Sequence, residues 1–514
     1  MTGKVQSIAT VGNHGLIIDI ECHLSNSLPS IIIVGFANRS TDEAKERIRA
    51  AFASSNLQLP RKRITLNLAP ADIPKDGSSF DLAMAASIML AGQLLANDLD
   101  DRCAFIGELG LDGSVRPVRG IIGKLLAGRQ RGIKTFIIPT QNMAQAELVP
   151  GLRLIPVHSL QALYRHLSHT EPISPVTSGN YTPQSSHQGA GKESDVSFSE
   201  ISGQDQAKRA LQIAAAGGHN VLLVGPPGTG KSMLAKALPS ILPPLSHEEM
   251  LEVTQLHSLV NGSFEDIITS RPFRSPHHSA SHVAILGGGH DLRPGEISLS
   301  HRGVLFLDEL PEFNRVTLEA LRQPLEDRKI SIVRAKETAV YPANFILVAT
   351  ANPCPCGYFG SSRPCSCLPN QIIHYQQKLS GPILDRIDLF SVVGEISHKQ
   401  LLENTKSVAN DTSLKEQIIE ARDRQAARFA GKTKLNADMT NSDIKLSAQL
   451  DSDARSLLES AASKLALSPR SYMRVIKVAR TIADLDQSAV IQVSHVSEAL
   501  QFRNQMSKNS LTVS

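Results

Sequence analysis

No apolar run in this chain approaches the roughly 20 residues that a membrane-spanning helix needs. The opening stretch, Met1 to Gly15, carries no apolar segment of the kind a secretory signal requires. Both absences lead us to expect a cytoplasmic protein with no membrane partner. An excess of one charge is missing as well: 53 Lys and Arg stand against 49 Asp and Glu, a net charge of +4. So mild a balance permits nucleic-acid binding without arguing for it, because a whole-chain sum hides any local basic surface. Cysteine is scarce, with six in 514 residues, and a reducing compartment argues against a disulfide framework. No internal repeat is visible.

What is present is the composition of an ordinary globular chain, 41% hydrophobic and 20% charged. It is too long for one core, so two or three domains are expected. Residues 1–167 mix β-rich runs (Ser30–Val34, Arg63–Leu68, Thr135–Pro139) with helices. Thr41–Ser54 places Ala44, Ile48 and Ala51 on one helical face, while Asp81–Leu95 is apolar all round, the pattern of a buried helix. Residues 168–197 are rich in Ser, Thr, Pro, Gly and Gln. They bury too little apolar surface to offset their ordering entropy and read as a flexible linker. Residues 198–395 alternate strands and helices, as a parallel sheet covered by helices does. Residues 396–514 read as helical as far as Met506.

The densest chemistry lies in the third block. Val221–Val224 is a buried-strand pattern that runs into Gly225, Pro226, Pro227, Gly228, Thr229, Gly230, Lys231 and Ser232, then a helical stretch from Met233. This is G-x-x-x-x-G-K-[ST] in the strand-to-helix setting its mechanism requires. Backbone N–H groups of such a loop close around phosphate oxygens at a helix N-terminus, so Gly225 to Met233 are expected to bind ATP. Lys231 supplies charge to the β and γ phosphates, and Ser232 offers its hydroxyl to Mg²⁺. A second strand, Gly303–Leu307, ends in Asp308 and Glu309, placed to hold the Mg²⁺ shell and to activate the attacking water. A third, Asn344–Thr350, leads to Asn352 at the end of the sheet where ligands bind.

Two further patterns stand nearby. Cys354, Cys356, Cys365 and Cys367 flank a loop containing Gly and Ser. Four thiolates at C-x-C…C-x-C spacing fit a closed, structural Zn²⁺ site, although the spacing is tighter than usual and four redox-sensitive loop thiols are the alternative. Lys329–Val333 and Ala339–Tyr341 flank a polar turn and read as a β-hairpin with Arg334 and Lys336 at its tip. Such a tip grips phosphates without reading sequence; a surface hairpin with solvated charges is the alternative.

The order of these parts resembles the AAA+ ATPases, specifically the magnesium-chelatase-like branch and its bacterial ComM (YifB) family. The likeness spans nearly the whole chain. It rests on Ile201–Gln204, Gly225–Ser232, Arg271–His278, Arg293–Ser298, Gly303–Phe313, Gly381–Asp388, Ser468–Arg474 and Ala479–Asp484. The resemblance implies that Asn352 is sensor 1 and that Arg386 is an arginine finger reaching a neighbouring subunit's γ-phosphate. It implies that Arg470 is the sensor-2 arginine of a helical lid. From the residues alone, a local ion pair of Arg386 with Asp385 or Asp388, and a plain surface charge at Arg470, are the alternatives. The family further implies a homo-hexameric ring acting on single-stranded or branched DNA. The resemblance implies that such a ring is a helicase extending branches of a recombining duplex during natural transformation, in company with recombination proteins. Magnesium chelatases use the same core to drive metal insertion, so a remodeller of a protein or metal complex is the other reading.

The N-terminal block resembles the ribosomal-protein-S5-domain-2-like fold shared by the proteolytic domain of Lon. Pro74–Ser79 is similar to the turn bearing Lon's nucleophilic serine, with Ser79 in that place, and Ile106–Val115 to the strand pair that follows. The family's general-base lysine then falls at Ile122, which cannot take a proton, unless Lys124 substitutes. Phe80 and Asp81 replace the small residues that normally follow the serine. The domain is therefore expected to be non-proteolytic.

Overall fold

The computed structural model describes residues 2–11, 14–35, 39–71, 78–95, 102–179, 196–260, 264–289, 292–333, 338–379, 381–396, 411–431 and 434–503. The chain forms two compact units.

The first unit comprises Met1–Ala190, Ser246–Thr269 and Val333–Val340. It is built on an eight-stranded mixed sheet in the order Val176–Thr177, Arg153–Val157, Thr135–Pro139, Cys103–Phe105, Thr2–Val11, His14–Ser25, Arg63–Ala69 and Ser30–Val34. The long hairpin of Thr2–Val11 with His14–Ser25 is antiparallel. Ile18, Ile20, Cys22 and Leu24 are buried at every second position, as a strand with one core-facing side dictates. Against this hairpin packs the helix Asp81–Ala91, whose eleven residues are all buried. It ends at Ala91, capped by Gly92 and four residues short of the run read from sequence through Leu95.

Two boundaries differ from the sequence reading. Residues 168–179 are ordered and do not begin a linker. Val176–Thr177 adds an antiparallel strand to the sheet edge, and Ser178 Oγ accepts from Leu152 N–H at 2.9 Å. A sheet edge recruits backbone hydrogen bonds, so a polar segment can be held without a core of its own. Residues 180–195 lie outside the described residues. The helix His247–Ser258 follows the P-loop helix in sequence yet belongs to the first unit. It starts from a capping box between Ser246 and Glu249. It packs on the helix Ile121–Gln130, where Leu251 and Ile267 join the cluster of Ile121, Ile122 and Leu125.

The second unit carries a five-stranded sheet in the order Phe273–Arg274, Val304–Leu307, Ile346–Ala351, Val221–Val224 and Leu389–Val392, every pair parallel. The three inner strands, Val304–Leu307, Ile346–Ala351 and Val221–Val224, are short and buried on both faces, which parallel sheets require. Val221–Val224 comes first in the chain but lies between the last two strands. The chain leaves it for the far edge and works back, and such a reversal opens a crevice at the strands' C-terminal ends. Beyond the sheet come the helices Asp411–Arg428, Asn441–Ser447, Ser452–Leu465, Pro469–Leu485 and Val493–Gln501, the helical lid read from sequence. Among the described residues no helix is long and apolar enough to cross a membrane.

A buried polar latch fixes the helices to the sheet. His219 Nδ1 meets Asp388 Oδ2 at 3.2 Å, its Nε2 meets Thr481 Oγ1 at 2.8 Å, and Arg474 pairs with Asp388 at 3.3 Å. Burial pushes the Asp388 carboxyl up, but the His219 hydrogen bond and the charges of His219 and Arg474 outweigh it and hold the group at about 2.

Candidate nucleotide site

The crevice gathers the residues that the sequence placed in three separate motifs. Gly230 caps the P-loop helix at φ +85°, a left-handed conformation that glycine adopts without strain and that turns the loop into the helix Lys231–Ile241. The Lys231 ammonium donates to the carbonyls of Gly225 and Pro226, both at 2.7 Å, so it pins the loop that surrounds it. It also reaches Asn352 Oδ1 at 3.3 Å, which brings the third strand's end to the P-loop. Burial lowers the Lys231 pKa, opposed by the charges of Asp308 and Glu309. Thr229 Oγ1 donates to Pro226 O at 2.9 Å and closes the loop on itself.

Ser232 Oγ donates to Asp308 Oδ2 at 3.1 Å. A hydroxyl and a carboxylate this close form the hard-oxygen donor set that suits Mg²⁺, and these two residues would hold it. When bound, the ion neutralises phosphate charge. Glu309 sits beside Asp308 at φ +53°, in the left-handed region that a non-glycine residue rarely adopts. Backbone strain of this kind is retained where a side chain must be aimed. Here the aim is fixed by Thr350, which was not singled out in the sequence. Its Oγ1 donates to Asp308 Oδ1 at 2.5 Å and accepts from the Glu309 N–H at 2.9 Å. One hydroxyl thus holds the Asp308 carboxylate and the backbone of Glu309. The signal was a lone polar residue at the end of a buried strand, legible only once Ile346–Ala351 is known to pair with Val304–Leu307. Gln204 was likewise without a role; its amide donates to Gly394 O at 2.7 Å and to Thr229 O at 3.4 Å, tying the loop before the first helix to the P-loop.

The two arginines stand apart from this cluster. Arg386 is largely buried, and its guanidinium pairs with Glu326 of its own chain rather than standing open as a finger. Asp388, offered as a local partner, is engaged with His219 and Arg474. Arg470 is exposed on the first turn of Pro469–Leu485 and, among the described residues, makes no hydrogen bond or ion pair with the P-loop. The strands Lys329–Val333 and Thr338–Pro342 pair as the hairpin reading required, while Arg334 and Lys336 lie outside the described residues. Tyr341 Oη donates to Leu292 O at 2.7 Å, which joins this hairpin to the glycine-rich turn Gly287–Gly288 and Arg293–Pro294. The four clustered cysteines come together, with their Sγ atoms all within 4.8 Å of one another.

In the first unit the structure bears on the alternative left open at Lys124. Ile122, where the family's general-base lysine falls, is buried among Ile8, Ile106 and Phe136. Lys124 is the residue that reaches the serine: its Nζ lies 3.4 Å from Ser79 Oγ and 3.1 Å from the Ile8 carbonyl. Burial alone lowers its pKa to about 8. Asp81 is paired with Arg47 at 2.6 Å, and burial, opposed by that arginine, raises its carboxyl to about 6. Residues 74–77 of the turn lie outside the described residues.

A strand-loop-helix phosphate cradle, two acids on the adjoining strand and an asparagine on the next define a P-loop nucleotide-binding protein of the AAA+ class. Comparison with known proteins carries this further. The family described as magnesium chelatase, subunit ChlI, matches residues 197–401, its C-terminal family matches 409–503, and the family described as subunit ChlI of Mg-chelatase matches 20–142. The chain is similar to the uncharacterized protein YifB of Escherichia coli, 41% identical over 502 residues, 97% of this chain and 96% of that protein. It is equally similar to the competence protein ComM of Haemophilus influenzae, 41% identical over 501 residues, 97% of each. A shorter likeness, 31% identical over 176 residues, joins it to Lon protease 2 of Bacillus subtilis, covering 31% of this chain and 32% of that one. The chain belongs to the ComM/YifB family of magnesium-chelatase-like AAA+ ATPases, for which ATP and Mg²⁺ are the cofactors.

Proposed function

We propose that this protein is an ATP-driven ring motor that acts on DNA, a homo-hexamer that migrates branched recombination intermediates in the cytoplasm. The observation that carries the reading is the assembly of Lys231, Asp308, Glu309, Thr350 and Asn352 at one crevice, in a chain similar over nearly its full length to a competence protein. In this reading Lys231 binds the β and γ phosphates, Glu309 takes the proton of the attacking water, and Asn352 orients that water. Arg386 would have to leave Glu326 to serve a neighbour's γ-phosphate, so ring closure itself would switch on hydrolysis. The hairpin Lys329–Val333 with Thr338–Pro342 would present Arg334 and Lys336 to a DNA backbone, recombination proteins being the natural partners.

The test is migration of a labelled four-way junction by the purified protein with ATP, against Glu309→Gln. Movement that requires ATP and Glu309 supports the motor. Robust turnover with no effect on any DNA would favour the remodeller of a protein or metal complex. One specific observation favours a second enzymatic reading, the 3.4 Å approach of Lys124 to Ser79 in a buried setting. ATP-dependent degradation of casein that is lost in Ser79→Ala would establish it.

A further inference from the structure

The geometry points to a tetrahedral Zn²⁺ site at Cys354, Cys356, Cys365 and Cys367 whose loop seats the P-loop, so that metal occupancy sets nucleotide affinity. The Sγ separations are 3.4 Å between Cys354 and Cys356, 3.7 Å between Cys354 and Cys365, and 3.5 Å between Cys356 and Cys365. A tetrahedron of four sulfurs bonded at about 2.3 Å to zinc has edges of about 3.8 Å. Three of the six edges therefore come within 0.4 Å of a zinc cage's, and all four sulfurs lie within 4.8 Å of one another. Sulfur is the donor that selects zinc over magnesium or calcium, and four protein ligands leave no open position, which marks a structural site.

The backbone around the quartet is arranged to support thiolates. Phe359 N–H donates to Cys354 Sγ at 3.3 Å, Cys356 N–H to Cys367 Sγ at 3.4 Å, and Cys367 N–H to Cys365 Sγ at 3.4 Å. Donors of this kind orient metal ligands and hold negative charge on sulfur. The intervening loop has little else to hold it. Among residues 355–367 none is a buried hydrophobic residue and Phe359 is 36% exposed. A loop without a core needs a staple.

The second link is what the staple supports. Cys354 stands two residues beyond Asn352, which bonds Lys231. Within the loop, Gly357 lies so close to the P-loop that a Cβ built on it would meet Pro227 Cδ at 2.6 Å. From the far side, Gln376 of the helix Pro369–Gln377 donates to Pro353 O at 3.3 Å. The cysteine loop is thus one wall of the phosphate cradle, and its order is inherited by Pro227 and Asn352. Release of the metal frees that wall, and nucleotide binding weakens.

The experiment measures metal and nucleotide on the full-length protein without DNA, so it stands or falls separately from the proposed motor activity. Elemental analysis should find one zinc per chain, and a mercurial should release it to a colorimetric zinc indicator with several-fold loss of affinity for a fluorescent ATP analogue. Cys365→Ser with Cys367→Ser should lose both zinc and affinity. Gly357→Ala keeps all four ligands and should retain zinc while losing affinity, because the new methyl strikes Pro227. Zinc-free wild-type protein from zinc-supplemented expression, with all four thiols free or disulfide-bonded, would overturn the metal site. Zinc-bound protein whose nucleotide affinity is unmoved by the mercurial and by Gly357→Ala would overturn the coupling.

Discussion

Replacing Thr350 by valine keeps shape and β-branching but deletes one hydroxyl, and that hydroxyl bonds both the Asp308 carboxylate and the Glu309 backbone. Its proton goes to Asp308 at 2.5 Å and its lone pair accepts the Glu309 N–H at 2.9 Å. A hydrogen bond to a charged group contributes roughly 1.5–3 kcal/mol. If the loss falls on the transition state, kcat drops about 10- to 100-fold. Lys231 keeps its bonds to Gly225 and Pro226, so ATP affinity should change little. Steady-state ATPase and binding of a fluorescent ATP analogue separate the two effects, and Thr350→Ser, which restores the hydroxyl, should recover most of the rate. A folded Thr350→Val protein turning over within twofold of wild type would refute the assignment of Thr350 as the residue that positions the Asp308 carboxylate and the Glu309 backbone.

Other consequences can be checked directly. Lys124 is held at about 8, below the 10.5 of an exposed lysine, so between these values the unfolded chain binds more protons and stability rises with pH. The buried charge costs roughly 3 kcal/mol below pH 8. Lys124→Met should therefore be more stable than wild type at pH 7, and urea unfolding should show that advantage shrinking by pH 9.5. Asp388→Asn leaves His219 and Arg474 without their carboxylate, and breaking a buried pair costs about 3–5 kcal/mol; its denaturation midpoint should fall well below wild type at neutral pH. Arg386→Ala should bind ATP as a monomer with unchanged affinity but lose turnover at concentrations where wild type assembles. Unchanged turnover would remove the trans role.

Much of the nucleotide site was legible because its chemistry is local. A glycine loop between a strand and a helix declares itself in eight residues, and an acid pair ending an apolar strand needs little context. What escaped was relational. Thr350 acquires meaning only from the pairing of its strand with Val304–Leu307. Lys124 was named only as a substitute from two residues away, and side-chain reach decided that it meets the serine. The linker boundary was misplaced because composition measures burial and not the backbone bonds a sheet edge offers Val176–Thr177. The helix His247–Ser258 reads as part of the ATPase block in sequence, yet it packs on the helix Ile121–Gln130 of the first unit, a choice of partner that no local pattern encodes.

The central claim is that the crevice hydrolyses ATP in the service of DNA. It is tested by the ATPase rate with no DNA, with single-stranded, with duplex and with four-way-branched DNA, using Glu309→Gln as the blank. The account predicts turnover that vanishes in the blank and is stimulated by DNA, most strongly by branches. Turnover that is equal across all four conditions would contradict it.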